Sequence, residues 1–500
     1  MDPNSHPTAA PSNDTSASLT RRNILAGAAW AVPAVALTAS TPAFAASSAL
    51  LMLSTPNMQV PASGAVTVTA TLKNASGAAT AGASVSFTGP SGATINPASA
   101  VTNGTGAATT GLNLKAPWTK PGSTVAVNAT SGSESKSQSF TVIGSNLVAA
   151  GNVYSSTPAQ TELVFPSPAV DAVASGGSFA VLLNNGTVWT KGDNSNGQLG
   201  DNTSTDRSTW AQVPGLSNVT QIAAGSGSLY ALLSDGSVKA WGYNAFGQLG
   251  DGTTTPRYSP TPVSNLSGVT QIAAGGATAF ALLSDKSVKA WGYNNVGQVG
   301  DGSTTNRSTP STVSNLSNVV QIAAGRFRTL GIPDVATAYA LLSDGSVKAW
   351  GFNNAGQVGD GTTTSRSAPT PVLDVSGATQ VAAGSGTGFV LLSDGSVRGW
   401  GRNNVGQVGD GTTTNRSRPT TVTRVASAVQ VSAAAGTAYA MSSDGSVRSW
   451  GYNTYGQIGD GSTTDRPAPV SLAVPAGHSV ERLASNGSGA ETVFLVMATT

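Results

Sequence analysis

Short runs of alternating apolar and polar residues, separated by glycine-rich turns, recur along most of this chain. Val219 to Ala224, Leu229 to Ser234 and Ser237 to Tyr243 alternate with period two, which predicts three short strands. Asp235-Gly236 predicts a hairpin turn between the second and third strands. A fourth strand is predicted from Thr261 to Val263, after a long loop. The pattern therefore indicates small four-stranded antiparallel sheets.

The stretch VKAWGYNAFGQLGD, from Val238 to Asp251, occurs six times with small changes. Its Gly-Gln-x-Gly-Asp signatures follow one another at spacings of 50, 50, 59, 50 and 50 residues. A period near 50 residues, with several short strands in each unit, predicts a β-propeller.

Counting the two halves of the unit separately predicts seven blades. The first half, VxQIAAG…ALLSDG, occurs seven times, from near Val170 to near Val480. The second half has six clear copies and a weak one, Ser145 to Gly151, in which Ala150 takes the tryptophan position. We therefore expect a propeller over residues 144–500 that is closed by N- and C-terminal half-blades and has no open edge.

A second region, residues 46–143, has the same period-two alternation without the repeat. Val66 to Leu72, Ala83 to Phe87, Thr124 to Ala129 and Ser139 to Ile143 are predicted strands, and Gly89-Pro90-Ser91-Gly92 is a turn signal. About seven short strands in this length predict a β-sandwich. The order of the strands resembles the bacterial immunoglobulin-like domains of surface and adhesive proteins.

Residues 1–45 are predicted to be an export signal. A polar lead is followed by Arg21-Arg22, a moderately apolar run from Ala26 to Thr41, and the small-x-small site Ala43-Phe44-Ala45. The paired arginines favour a twin-arginine signal, with a Sec signal as the alternative. Pro33 and the many Ala and Gly residues make the run a poor membrane anchor. The mature protein is expected outside the cell or at its surface, with no membrane span.

Composition narrows the chemistry further. The formal net charge is +2 and only 10% of residues are charged, so no basic face for nucleic acid is expected. The absence of cysteine excludes disulfides, thiolate metal sites and thiol catalysis. A monomer is expected.

The pattern ALLSDGSVKAWGYNxxGQLGDG resembles the regulator of chromosome condensation repeat and is matched six times over roughly 350 residues. The resemblance implies a seven-bladed propeller. Its members include a nuclear GTPase exchange factor, a plant ultraviolet-B photoreceptor and secreted bacterial β-lactamase-inhibitory proteins, so the fold leaves function open. The His-Thr pair, the exchange-factor insertion and the photoreceptor tryptophan context of those relatives are absent here. We expect the secreted bacterial type.

Two sets of residues recur once per blade. The first is a tryptophan that either forms a stacking platform for sugars or bases or, as we favour, fills the wedge between blades: Trp241, Trp291, Trp350, Trp400 and Trp450. The second is an Asp/Arg pair six residues apart, from Asp201/Arg207 to Asp460/Arg466, which we interpret as a loop clamp or inter-blade ion pair. One carboxylate per blade does not converge as a cation site requires, so no metal site is predicted.

Catalytic residues are scarce, and no catalytic or cofactor-binding site is predicted. After signal cleavage His478 is the only histidine, and Glu134, Glu162, Glu481 and Glu491 are the only glutamates. No phosphate-binding Gly-Lys-Ser/Thr loop occurs. The protein is predicted not to be an enzyme.

Candidate contact residues lie where the repeat is broken. The nine extra residues of the 59-residue spacing run from Arg326 to Asp334 and are predicted to form a loop between the first and second strands of one unit. Residues of this insertion and variable loop positions are the candidate partner contacts: Arg326, Phe327, Arg328, Leu330, Ile332, Phe246, Arg402 and Tyr455. Lys191, which replaces a repeat tryptophan, marks a further break.

Three functions follow from these features. The favoured one is an exported scaffold that binds a protein partner through the loops of one propeller face. The second is a multivalent carbohydrate-binding protein of the cell surface. The third, regulation of a small GTPase, rests on the family resemblance alone and is disfavoured by export.

Overall fold

The computed structural model describes residues 50–54, 59–61, 65–74, 76–89, 93–114, 124–143, 147–151, 161–163, 165–175, 177–328, 334–474, 480–484 and 492–497. The regular elements in these ranges are all β-strands, which confirms the predicted all-β class. They include no helix with the length and apolar character to cross a bilayer. The predicted export signal lies outside the described residues.

The described residues between 50 and 143 form two sheets around one hydrophobic core. The nine strands are β1 (Leu50–Ser54), β2 (Gln59–Pro61), β3 (Ala65–Lys73), β4 (Ser84–Thr88), β5 (Ala93–Asn96), β6 (Ser99–Val101), β7 (Ala107–Leu114), β8 (Thr124–Ser131) and β9 (Glu134–Ile143). The sheet orders are β1-β3-β7-β5 and β2-β9-β8-β4-β6. Buried side chains from both sheets, such as Val68, Phe87 and Phe140, share one cluster. There are more strands than the seven predicted, because strands of three or four residues leave no clear period in the sequence.

The described residues between 147 and 497 form seven four-stranded antiparallel sheets, the repeated blades of the predicted β-propeller. Two strands come first: β10 (Leu147–Gly151) and β11 (Thr161–Leu163). Blades 1 to 3 are β12 (Ala169–Ser175), β13 (Ser178–Leu183), β14 (Val188–Gly192), β15 (Arg207–Gln212); β16 (Val219–Ala224), β17 (Ser228–Leu233), β18 (Val238–Gly242), β19 (Arg257–Pro262); and β20 (Val269–Gly275), β21 (Thr278–Leu283), β22 (Val288–Gly292), β23 (Arg307–Thr312). Blades 4 to 6 are β24 (Val319–Phe327), β25 (Val335–Leu342), β26 (Val347–Gly351), β27 (Arg366–Pro371); β28 (Ala378–Ala383), β29 (Thr387–Leu392), β30 (Val397–Gly401), β31 (Arg416–Thr421); and β32 (Ala428–Ala434), β33 (Thr437–Ser442), β34 (Val447–Gly451), β35 (Arg466–Ser471).

The two ends of this region share one sheet, which we call blade 7. It contains β10 and β11 together with β36 (Val480–Leu483) and β37 (Thr492–Met497), in the order β11-β10-β37-β36. The register joins Leu147 to Val496. Buried residues of blades 7 and 1, among them Phe494 and Phe179, lie in one cluster with their ring centroids 6.1 Å apart. Strand pairing between the chain ends leaves no unpaired edge between the terminal repeats.

The strands within a blade follow the predicted order. In blade 2 the first three strands lie within one residue of their predicted bounds. The prediction for the fourth strand, Thr261 to Val263, was wrong, because it runs from Arg257 to Pro262. Arg257 pairs with Gly242 across the sheet, and its side chain binds Asp251. The ion pair therefore fixes the beginning of the strand at Arg257, upstream of the residues whose alternation predicted it.

The turn between the second and third strands contains a residue in the left-handed conformation, and blade 3 has lysine there in place of glycine. Gly236 has φ 79° in blade 2, whereas Lys286 has φ 70° at the equivalent position. A non-glycine residue in this region costs about 1–2 kcal/mol, of which the backbone entropy of glycine offsets about 0.5–1 kcal/mol. We expect Lys286→Gly to raise the unfolding temperature by about 1 °C in scanning calorimetry. Gly236→Lys should lower it by a similar amount, and an unchanged or lower value for Lys286→Gly would contradict the assignment.

The tryptophans of the repeat lie between neighbouring blades. Trp241, Trp291, Trp350, Trp400 and Trp450 are all 0% exposed. Each indole N–H donates to a glutamine carbonyl of the preceding blade at 2.8–3.0 Å. No face of these five rings is open to stack on a sugar or base, so their role is packing.

Candidate binding face

One end of the propeller carries most of the departures from the repeat. Because the strands of a blade alternate in direction, the connections after its first and third strands emerge at the same end of the sheet. We call this end the loop face. The insertion after β24 and the variable residues of the WGxNxxGQ segments both lie there.

An aromatic cluster extends over the loop face from blade 2 to blade 5. Phe246 of blade 2 packs on Tyr293 of blade 3, with ring centroids 4.7 Å apart. In blade 4, Phe327 lies 5.0 Å from Phe352, and the guanidinium of Arg402 in blade 5 lies 5.4 Å above the Phe327 ring. Tyr293 is buried, and the four other residues are half-buried. These five residues, the face cluster, present apolar rings and one cation beside solvent.

The insertion is anchored at both ends to the blades around it. The ladder continues through Arg326↔Ala336 and Phe327↔Val335, so the prediction that Arg326 and Phe327 lie in a loop was wrong. Arg326 forms an ion pair with Asp334 at 3.3 Å. Asp334 also accepts a hydrogen bond of 2.6 Å from the Ser226 hydroxyl of blade 2. The insertion therefore reaches across blade 3.

The other predicted contact residues do not join the face cluster. Arg328 is exposed, while Leu330 and Ile332 lie outside the described residues. Tyr455 of blade 6 packs edge-on against Tyr452, with centroids 6.2 Å apart. Lys191 of blade 1 lies 5.9 Å from the Trp210 ring, and burial lowers the pKa of its ammonium group.

The Asp/Arg pairs clamp the long loop of each blade. Six pairs have N–O distances of 2.5–2.7 Å, from Arg207–Asp201 to Arg466–Asp460. Asp251, for example, accepts hydrogen bonds from the backbone N–H and hydroxyl of Thr253 at 3.0 and 2.8 Å. Desolvation raises the pKa of Asp251, but the hydrogen bonds from Thr253 and Arg257 bring it below its ordinary value. Each carboxylate is thus engaged within its own loop.

Five glutamines join the inner strands around the central channel. They are Gln221, Gln271, Gln321, Gln380 and Gln430. Each side-chain Nε2 donates to a backbone carbonyl of the next blade at 2.9–3.2 Å. The Oε1 of the same glutamine accepts the backbone N–H of the same residue in the next blade at 2.8–2.9 Å. The cavity inside this ring is about 180 Å³. Asp171 of blade 1 and Arg482 of blade 7 occupy the corresponding positions, so charge enters the ring only at the closure. Each of these glutamine side chains therefore links its own blade to the next one.

The described residues provide no group of three His, Asp or Glu side chains placed to hold a metal ion. His478 and Glu491 lie outside the described residues, Glu134 belongs to β9 of the sandwich, and Glu481 is exposed on β36.

Sequence reasoning missed the residues that complete the face cluster. Tyr293 and Phe352 directly follow the Trp-Gly of blades 3 and 4, at a position that is also Tyr243 in blade 2 and Tyr452 in blade 6, so neither interrupts the repeat. Their aromatic rings at a loop position are the sequence signal that could have identified them as contact residues, since loops are mostly polar and solvated.

Repeated four-stranded sheets with these signatures define a propeller of the regulator of chromosome condensation type. Six segments match the family model "Regulator of chromosome condensation (RCC1) repeat": residues 185–232, 235–282, 287–332, 344–391, 394–441 and 444–490. A second model of the same repeat matches residues 170–198, 219–248, 269–298, 378–407 and 428–457. The first set covers more than half of the sequence, so the chain belongs to the RCC1 repeat family.

Solved structures share the propeller. Prp20p from Saccharomyces cerevisiae, described with its binding to Gsp1p and histones, is 21% identical over 70% of this chain and 90% of that one, with a TM-score of 0.58. Yeast RCC1 (Prp20) bound to Kap60 is also 21% identical over 70% and 88%, with a TM-score of 0.59. Human WBSCR16 is 18% identical over 70% and 98%, with a TM-score of 0.58. No curated protein sequence matches the chain significantly.

Proposed function

We propose that this protein is an exported, non-enzymatic scaffold that binds a protein partner through the loop face. The face cluster is the observation that carries the proposal. Aromatic and arginine side chains are enriched at the centres of protein interfaces, and truncating one at a hot spot costs about 2 kcal/mol or more. Phe327 of blade 4 and Arg402 of blade 5 place an aromatic ring and an arginine in contact where the two blades meet.

The relatives agree with a binding role. Prp20p binds Gsp1p and histones, which are proteins. Export, which the proposal infers from residues 1–45, gives this chain a partner outside the cell or at its surface.

The carbohydrate hypothesis has weaker support. It relied on equivalent pockets in successive blades, whereas the exposed rings differ from blade to blade. The repeated tryptophans that would form such pockets are buried.

Capture experiments test the proposal. Mature protein is recovered from the culture medium, where an N-terminus after Ala45 is expected, then immobilised and incubated with envelope and medium proteins of the source cells. The double variant Phe327→Ala/Arg402→Ala should weaken capture of a specific protein roughly 30-fold or more.

Arg448→Ala is the matched control, because Arg448 is an exposed arginine on β34, away from the loop face. It should retain full capture. Thermal unfolding should show that both variants are folded. If the double variant then captures the partner as well as wild type does, the loop face is not the binding surface.

A further inference from the structure

Arg402 stands at a position of the repeat that is usually aromatic. The residue two places after the repeat tryptophan is aromatic in blades 2, 3, 4 and 6, where it is Tyr243, Tyr293, Phe352 and Tyr452. Blade 1 has Asp193 at the equivalent position, and blade 5 has Arg402. The sequence therefore places a cation at this point of the loop face in one of the first six blades, beside the inserted Phe327 of blade 4.

The Arg402 guanidinium is held on two sides. Its Cζ lies 5.4 Å from the centre of the Phe327 ring. Its Nε donates to Asn404 Oδ1 at 2.8 Å, at an exposed position, and the same oxygen accepts Gln407 Nε2 at 2.9 Å. A Cβ added to Gly386 would lie 2.6 Å from Cδ2 of the Phe327 ring, so the absence of a side chain there lets the ring lie against the blade 5 backbone. These contacts orient the guanidinium and leave Nη1 and Nη2 without an acceptor among the described residues.

The charge of Arg402 is not balanced by its surroundings. The connections after the first and third strands of blades 2 to 5 contain five carboxylates, and each forms an ion pair with an arginine: Asp251, Asp301, Asp334, Asp360 and Asp410. Two cations of the same connections, Arg328 and Arg402, have no carboxylate partner within the described part of the chain. This part of the loop face therefore carries an excess of two positive charges next to the rings of Phe327 and Phe352.

Building on the proposed function, we propose that the contact between Phe327 and Arg402 is a subsite for an acidic residue of the protein partner, with an apolar side chain beside it. The partner carboxylate accepts two parallel hydrogen bonds from Nη1 and Nη2 of Arg402, because the planar guanidinium matches the spacing of the carboxylate oxygens. The apolar side chain packs on the half-buried rings of Phe327 and Phe352. Arg328, which is exposed next to Phe327 in the chain, attracts the same negative charge.

The charge pattern favours a protein segment over a polyanionic glycan. A polyanion carries closely repeated charges, and binding it requires several cations in a row, as for nucleic acid. Here the remaining charged groups of these connections are already ion-paired within the protein. One oriented guanidinium beside two aromatic rings instead matches a single carboxylate with an apolar neighbour, which is the composition of a protein interface.

A peptide array tests the inference on the full mature chain. The probes are acetylated and amidated hexapeptides of Gly and Ser that carry one Glu beside one Phe, in both orders, each matched by the same peptide with Gln in place of Glu. The mature chain is displayed in many copies on fluorescent beads, so that weak single contacts sum to a measurable signal. Wild type should bind a Glu peptide about 10-fold more strongly than its Gln match. Arg402→Gln should abolish this preference, and Phe327→Ala should weaken binding of both peptides.

Arg448→Gln is the matched control, because it removes the same charge from an exposed arginine on β34, away from the loop face. It should keep the preference. The inference is overturned if wild type binds the Glu and Gln peptides equally, or if Arg402→Gln keeps the preference while its unfolding temperature shows that it is folded. Saturable binding of dextran sulfate through Phe327 and Arg402, in place of the Glu peptides, also overturns it. If no peptide preference is found while partner capture still depends on Phe327 and Arg402, the inference falls and the proposed function stands.

Discussion

Trp350→Ala is expected to destabilise the propeller by about 3–5 kcal/mol, as for other fully buried large aromatic residues. The indole is 0% exposed, packs edge-on against Phe280 at 6.0 Å, and donates its N–H to Gln298 of the preceding blade. For roughly 350 residues, an unfolding entropy of about 2 cal/mol/K per residue converts this loss into a decrease of about 5 °C. Scanning calorimetry measures it directly.

Trp350→Phe separates packing from hydrogen bonding. Phenylalanine keeps most of the apolar contact but leaves the Gln298 carbonyl without its donor, so a smaller loss of about 1–3 kcal/mol is expected. An alanine variant as stable as wild type would show that the indole is not the wedge between blades 3 and 4.

Acid is expected to unfold the propeller below about pH 4, because six clamp aspartates lose their charge together. Desolvation raises the pKa of each carboxyl. The hydrogen bonds and the arginine together lower it by more than desolvation raises it, so the pKa in the folded protein lies below the ordinary value. A depressed folded pKa contributes stability above the unfolded pKa of about 3.9 and loses it as the pH falls through the folded value. Unfolding temperatures measured from pH 7 to pH 2 should decline steeply at the acid end.

Asp360→Asn isolates one clamp. The variant keeps an acceptor for Thr362 but removes the charge partner of Arg366, and should cost about 1–3 kcal/mol at pH 7. The difference from wild type should shrink toward pH 2, where the native carboxyl is protonated too. Asp344→Asn is the comparison variant, since this exposed turn aspartate accepts a hydrogen bond from the Ser346 hydroxyl but has no arginine partner. Ser346 and Lys348 lower its pKa as well, so a smaller loss with the same direction of pH dependence is expected. A difference that stays constant with pH would contradict the clamp's electrostatic role.

The candidate site was predictable only in pieces. Phe246, Phe327 and Arg402 each interrupt the repeat, which makes them recognisable in the sequence, and all three lie in the face cluster. Tyr455 also interrupts the repeat but lies in blade 6, outside the face cluster.

Local patterns in the sequence are enough to predict the all-β class, the repeated sheets and most strand bounds. These depend on local information, namely alternation, turn residues and a period near 50, repeated until each unit supports the next. The family matches also span strands of neighbouring blades: residues 185–232 contain β14 and β15 of blade 1, and β16 and all but the last residue of β17 in blade 2. The sequence repeat therefore begins and ends in the middle of a blade, which is why the N- and C-terminal strands of the propeller share blade 7.

Which interruptions of the repeat contact one another depends on how the blades are arranged in space. Ser226 and Asp334 are 108 residues apart yet hydrogen-bonded, and Phe246 and Arg402 contribute to one surface from blades 2 and 5. The curvature of the ring sets these contacts. The curvature arises from the packing of Trp350 and its equivalents between blades. A local pattern of apolar and polar residues does not specify the angle between two sheets, so these contacts could not be predicted from it.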